Sequence, residues 1–234
     1  LAISQSGESL DTLMAMRHAS ELGLKSVGIV NVPESTIARE ADLVLPTRAG
    51  PEIGVASTKA FTAQLTVLFS LAIRLGLKRG HLTAAQADIY ETILLGLPGA
   101  VGQAISQFES VRTVSQYLKR AESCLFLGRG PLYPLALEAA LKLKELSYIH
   151  AEGFAAGEMK HGPIALIEDG LPVICLLDHH ELSAKTISNL KEAEARGADI
   201  ILISTQSAAE KVDFAKQKIV IKDCNPVISP IVLA

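Results

Sequence analysis

The chain begins LAISQSGESLDTL, residues 1–13, and the reading of this stretch decides the fold. Leu1, Ala2 and Ile3 are short and aliphatic, like the end of a buried strand. DTLMAMRHASELG, from Asp11 to Gly23, carries apolar residues at helical spacing and stops on glycine, the residue a helix C-terminus favours. Between them lie Ser4, Gln5, Ser6, Gly7 and Ser9. At a strand–turn–helix junction unpaired N–H groups and the positive end of the helix dipole converge, so an anion is stabilised there. Serine hydroxyls add donors without bulk. The turn has no Lys or Arg, and the GKS or GKT signature of a nucleotide P-loop is absent. That chemistry suits a small phosphoester held by neutral donors. Ordinary N-capping by Ser6 or Ser9 accounts for the same residues without a ligand, and the residues alone leave both readings open.

Working outward, further aliphatic runs follow: VGIVNV (27–32), LVLP (43–46), CLFLG (124–128), PVICLL (172–177), DIILIST (199–205) and KIVIK (218–222). They are continuous rather than alternating, which suits strands covered on both faces. Helical patterns separate them, among them TAQLTVLFSLAIRLG, ALEAALKLKELSYIHAE and SAKTISNLKEAEARG. The alternation predicts an α/β fold with a doubly wound parallel sheet and right-handed crossovers. Residues 1–31 and 173–205 both run strand, polar turn, helix, glycine, strand, a diffuse internal repeat. The turns differ: SQSGES in the first, DHHELS in the second.

Composition narrows the class. Apolar residues make up 49% and aromatics 4% of 234 residues, an aliphatic usage that fits helices packed on a sheet. A net charge of −3 gives no basic surface for nucleic acid. Cys124, Cys175 and Cys224 lie far apart, with neither disulfide nor metal spacing, and read as reduced thiols. No cofactor motif is visible. The apolar stretch QLTVLFSLAIRLGL is broken by Arg74 and reads as too short to span a bilayer. With no signal peptide pattern, the expectation is a cytoplasmic protein away from membranes. The chain starts within a strand and lacks an initiating Met, so it reads as an internal fragment.

Two further clusters carry chemistry. Glu138, Lys142 and Glu145 fall at i, i+4 and i+7, one narrow arc of a helix that is otherwise apolar nearly all round. Such a helix is normally buried, so its charges are expected to face a cavity or a partner. A routine surface ion pair of about 0.3–0.5 kcal/mol is the alternative. GFAAGEMKHGPIALI (153–167) surrounds Glu158, Lys160 and His161 with small residues that let backbone approach a ligand, and His161 is suited to proton transfer near neutral pH. His18, His81, His150, His179 and His180 have no comparable context. PEIGVASTKAF (51–61) reads as a helix start with Ser57 or Thr58 near the cap.

Taken together, LAISQSGESLDTL, NVPESTIAREAD, AGPEIGVASTKAFTAQLTVL, FLGRGPLYPLALEAALKLKELSYIHAEGFAAGEMKHGPIALI and SNLKEAEARGADIILI span most of the chain in order. In this series the chain resembles the isomerase (SIS) domain of glutamine–fructose-6-phosphate aminotransferases, the glucosamine-6-phosphate synthases of bacteria. The resemblance implies two flavodoxin-like SIS subdomains, each a parallel sheet flanked by helices. The expected division is 1–82 for the C-terminal part of the first, 83–112 for a helical connection and 113–234 for the second. It implies a sugar phosphate bound by Ser4, Gln5, Ser6 and Ser9, with Ser9 standing where the family usually has Thr. Val55 and Ser57 would contact the sugar, and Glu138 and Lys142 would complete a charged lining. Glu145 would move a proton between C1 and C2, and His161 would assist ring opening from a neighbouring subunit of a homodimer. Ammonia would come from a glutaminase domain, and a lysine that forms the imine with fructose 6-phosphate from the C-terminal tail, both outside this sequence. Two other readings stay open: a stand-alone SIS deaminase or isomerase, and a non-catalytic sugar-phosphate sensor.

Overall fold

All seven aliphatic runs form strands in the computed structural model, which describes residues 1–234. The chain divides into two units, Leu1–Leu94 and Leu95–Ala234. The first holds β1 (Ala2–Ser4), α1 (Leu10–Glu21), β2 (Val27–Val30), α2 (Thr36–Glu40), β3 (Leu43–Pro46), α3 (Lys59–Lys78) and the start of α4 (Ala84–Ile105). Its sheet is parallel in the order β1-β2-β3, with Ala2 opposite Gly28 and Val27 opposite Leu43. Ala2, Leu13, Met16, Val30 and Ile37 form a core beside it.

The second unit holds α5 (Phe108–Leu118), β4 (Ser123–Gly128), α6 (Leu132–Ser147), β5 (His150–Ala155), β6 (Pro172–Leu177), α7 (Ser183–Glu194), β7 (Asp199–Thr205), α8 (Gln206–Ala209), β8 (Gln217–Ile221) and α9 (Ser229–Val232). Two short 3-10 turns, Ala156–His161 and Pro163–Leu166, join β5 to β6. The five strands are parallel in the order β5-β4-β6-β7-β8. Counted within the unit this is 2-1-3-4-5, the flavodoxin order, whose direction reverses between β4 and β6. All six residues of β6 are buried, as its unbroken apolar run requires of a central strand. Leu125, Leu127, Val173, Leu177, Ile200 and Leu202 anchor the core. Burial pushes the thiols of Cys124 and Cys175 up to about 12, so they stay protonated.

Three expectations change. The helical pattern ALEAALKLKELSYIHAE does not run through Glu152: Tyr148 takes a left-handed conformation at φ 62°, closes α6, and His150–Ala155 become β5. Gly153 makes that strand possible, because a Cβ there would lie 2.8 Å from Leu137 Cα on α6. Secondly, α6 is not enclosed within its unit. It buries Leu132, Leu135, Ala136 and Ala140, each fully buried leucine stabilising by about 1.5–3 kcal/mol, while Leu137, Leu141, Leu146 and Tyr148 are exposed. Thirdly, α3 extends beyond the apolar stretch considered from sequence and is, by length and composition, long and apolar enough to cross a membrane. Length and apolarity are equally met by a helix of an α/β domain.

Candidate functional site

The turn after β1 is built from the serines themselves. Ser4, buried at the strand end, accepts a hydrogen bond from the Gly7 amide at 3.0 Å and shares one with the Ser9 hydroxyl at 2.9 Å. Ser6 Oγ accepts from the Glu8 amide at 3.2 Å. Gly7 sits at φ +68°, and a Cβ there would fall 2.0 Å from Ser35 Oγ, so glycine is demanded by both conformation and space. Its carbonyl accepts from the Ile37 amide at 3.0 Å, pinning the turn to α2.

Ser9 occupies the N-cap position of α1, yet its hydroxyl makes no capping bond to the helix. It faces Ser4 instead. The simple capping explanation for Ser9 therefore fails, and the first amides of α1 are left without a side-chain acceptor. The one acidic side chain inside the turn is directed elsewhere: Glu8 accepts from the Thr36 amide at 2.8 Å, and that bond holds its carboxyl below the usual range. Gln5 contributes its carbonyl to the Asn31 amide at 3.2 Å.

Asn31 links this turn to the loop after β3. Its side-chain oxygen accepts from Thr47 Oγ at 2.9 Å and the Ala49 amide at 2.8 Å, and its amide donates to Gly50 O at 2.7 Å. The loop then presents Ile53 and Val55 almost wholly to solvent, with Ser57 half-buried beside buried Ala56. Thr58 stands at the N-cap position of α3, as the sequence predicts, but neither its hydroxyl nor that of Ser57 makes the capping bond. Glu52 supplies the acceptor: its carboxylate accepts from the Ala60 amide at 3.1 Å and from Thr58 Oγ at 3.2 Å. Asn31 and Glu52 were not among the residues singled out from sequence. An Asn ending a strand and a Glu eight residues before a helix amide are the signals that mark them.

In the second unit the charged stripe forms as the spacing predicts. Lys142 Nζ lies 3.0 Å from Glu138 and 3.2 Å from Glu145, with the three side chains 23%, 25% and 38% exposed in the order Lys142, Glu138, Glu145. Burial pulls the Lys142 ammonium down, but its bonds to Glu138 and Glu145 outweigh this and the net shift is upward. Lys142 is thus a permanent cation flanked by two carboxylates. At this exposure each pair contributes at most about 1 kcal/mol. His161 ends the first 3-10 turn, exposed, and forms no ion pair; its neighbour Lys160 pairs with Glu192 at 2.8 Å.

The SIS domain pattern matches residues 1–74 and 117–226. The chain belongs to the SIS domain family. It is 50% identical over 233 residues to the glutamine–fructose-6-phosphate aminotransferase [isomerizing] of Mesorhizobium japonicum, and 51% identical over 235 residues to that of Zymomonas mobilis. These alignments cover 99% and 100% of this chain but 38% and 39% of the relatives, so the chain spans less than half their length. Among solved structures, the C-terminal domain of glucosamine-fructose-6-phosphate aminotransferase from Francisella tularensis superposes with a TM-score of 0.94 at 40% identity, over 98% of this chain and 66% of that one. The SIS match runs through most of α3, which is accordingly a helix of the family's α/β domain.

Proposed function

We propose that this SIS chain is the isomerase part of a glutamine–fructose-6-phosphate aminotransferase and that it converts fructose 6-phosphate, with ammonia, to glucosamine 6-phosphate. The observation that carries the reading is the Ser9 hydroxyl, turned from its cap position onto Ser4. It leaves the first amides of α1 without a side-chain acceptor and, with the uncommitted proton of the Ser6 hydroxyl, free to receive an anion. The phosphate is held by Ser4, Gln5, Ser6 and Ser9, and the sugar by Val55 and Ser57 on the loop that Asn31 ties to the turn.

Ammonia condenses at C2 with loss of water, and the resulting ketose imine and its 2-amino aldose isomer differ by one carbon-bound proton, moved from C1 to C2, and one hydroxyl proton, moved from O1 to the nitrogen. Glu145 takes the carbon-bound proton from C1 and returns it to C2. Lys142, held 3.2 Å away, orients the Glu145 carboxylate and offsets negative charge that develops on the substrate. Glu138 balances Lys142 from the other side. His161, exposed and unpaired, serves ring opening in a neighbouring subunit, and the open apolar face of α6 is where a second copy packs. Ammonia comes from glutamine through a glutaminase domain of the same protein.

The test is Glu145→Gln in the full-length enzyme. Loss of a general base lowers turnover by about 10²–10⁴-fold while fructose 6-phosphate affinity stays within a few-fold. Unchanged turnover removes Glu145 from the mechanism; unchanged binding with no turnover in the parent protein supports a sensor instead.

A further inference from the structure

The 3-10 turn Ala156–His161 is six residues long and ends on His161. Hydrogen bonds of the 3-10 kind are poorly aligned, so so short a turn depends on its surroundings for a fixed shape. Ala156 and Met159, both fully buried, pack in the core of the second unit with Leu190 and Ala193 of α7. That apolar contact holds the turn down, but it is non-directional and does not set the turn's rotation or height. Directional contacts do, and they come from either end of the turn.

The first is made by Arg129. Gly128 closes β4 so sharply that a Cβ there would lie 2.1 Å from the Leu132 carbonyl oxygen. The next side chain, Arg129, reaches across to α7, where Nη2 donates to Asn189 Oδ1 at 3.0 Å. Asn189 is 8% exposed, so this bond lies out of solvent competition. On its way the guanidinium passes against Gly157, the second residue of the turn: a Cβ there would fall 2.7 Å from Nη2 and 3.3 Å from Cζ. From sequence, the small residues around His161 read as room for a ligand; at Gly157 the room is taken by Arg129. The second contact is made by Lys160, the neighbour of His161, on Glu192 at 2.8 Å. Asn189 and Glu192 are three residues apart and so lie together on one side of α7. The turn is thereby tied to α7 at both ends, and His161 stands exposed beyond the second tie.

We propose, resting on the reading that His161 assists ring opening, that Arg129 is a positioning residue for His161. Through Asn189 and the space left at Gly157 it clamps the turn to α7 and sets where the imidazole reaches the site it serves. The clamp acts on ring opening alone; proton transfer by Glu145, on α6, does not depend on it.

The test compares two substrates in the full-length enzyme. Fructose 6-phosphate has a ring to open; 5-deoxyfructose 6-phosphate lacks the hydroxyl that closes the ring and is always open-chain. His161→Ala is expected to lower kcat/KM about 10²-fold for the first and less than about threefold for the second. Arg129→Met, Asn189→Leu and Gly157→Ala should each lower it about tenfold for fructose 6-phosphate and less than about threefold for the open-chain compound, within the 10²-fold that a displacement of about 1 Å costs. Gly157 has no positive φ, so Gly157→Ala strains no backbone and only evicts the end of a flexible side chain. Its thermal midpoint should therefore match the unsubstituted enzyme, which a merely structural effect would not. Asn189→Asp keeps an acceptor for Arg129 and should stay within about threefold. On a His161→Ala background none of the three should lower kcat/KM further. Equal losses on both substrates, losses that persist without His161, or full activity of Gly157→Ala and Arg129→Met overturn the clamp and leave the role of His161 standing. If His161→Ala itself costs nothing with fructose 6-phosphate, the reading of His161 falls, and the positioning role of Arg129 falls with it.

Discussion

Gly7→Ala probes the turn on which the anion site is built. Two penalties are separable. Holding an L-residue at φ +68° costs about 1–2 kcal/mol. The new Cβ would lie 2.0 Å from Ser35 Oγ and 2.4 Å from Ser35 Cβ, and relieving such an overlap costs about 1–3 kcal/mol more. Stiffening the unfolded chain returns about 0.4–1 kcal/mol, for a net loss of roughly 1–4 kcal/mol. Amide exchange of Ile29 and Val30, fully buried in β2, reads the opening of the first unit rather than of the whole chain. At 1.4 kcal/mol per factor of ten, their exchange should accelerate by about 5- to 700-fold. Ser35→Gly removes the obstructing atoms at a cost of only a few tenths of a kcal/mol, since glycine is a fair cap. On that background Gly7→Ala should accelerate exchange by no more than roughly tenfold, because the steric part is gone and the backbone part remains. Exchange unchanged by Gly7→Ala, or an effect as large with Ser35→Gly as without, would refute the packing argument.

Three further outcomes follow from the same geometry. Ser9→Ala should cost less than the about 1 kcal/mol of an ordinary cap loss in urea unfolding, because its hydroxyl bonds Ser4 and not the helix, while weakening fructose 6-phosphate. Asp42 accepts from Lys25 at 2.7 Å and from the Ser26 amide at 2.9 Å, and these bonds lower its carboxyl from 3.8 to about 2. The folded state therefore binds fewer protons, so this contribution is full above about pH 4 and fades as pH falls towards 2; Asp42→Asn should flatten that acid limb of the urea midpoint. Tyr148→Gly should stabilise the second unit by about 0.5–1 kcal/mol in thermal unfolding, since φ 62° costs a tyrosine about 1–2 kcal/mol and its side chain is 93% exposed.

Much of the architecture was legible because β6, β7 and their counterparts are continuous aliphatic runs that only a doubly covered sheet can bury. The Glu138–Lys142–Glu145 pairing followed from helical periodicity alone. β5 was hidden because YIHAEGFA mixes polar and small residues, and its burial depends on Gly153 meeting α6, a tertiary contact without local periodicity. The exposure of Leu137 and Leu141 was equally out of reach: an apolar pattern says that a face is to be covered, not that its own unit covers it. At the Ser-rich turn, sequence placed every hydroxyl but could not say which capped the helix. That depended on the 2.9 Å pairing of Ser4 with Ser9.

The most direct measurement of the central claim is an amide-resolved titration of this chain with fructose 6-phosphate, fructose and inorganic phosphate. The account predicts that both phosphate compounds shift the amides from Ser6 to Asp11, that fructose alone does not, and that Ser6→Ala with Ser9→Ala abolishes the effect. Saturable binding of fructose 6-phosphate that leaves those amides unmoved would contradict it.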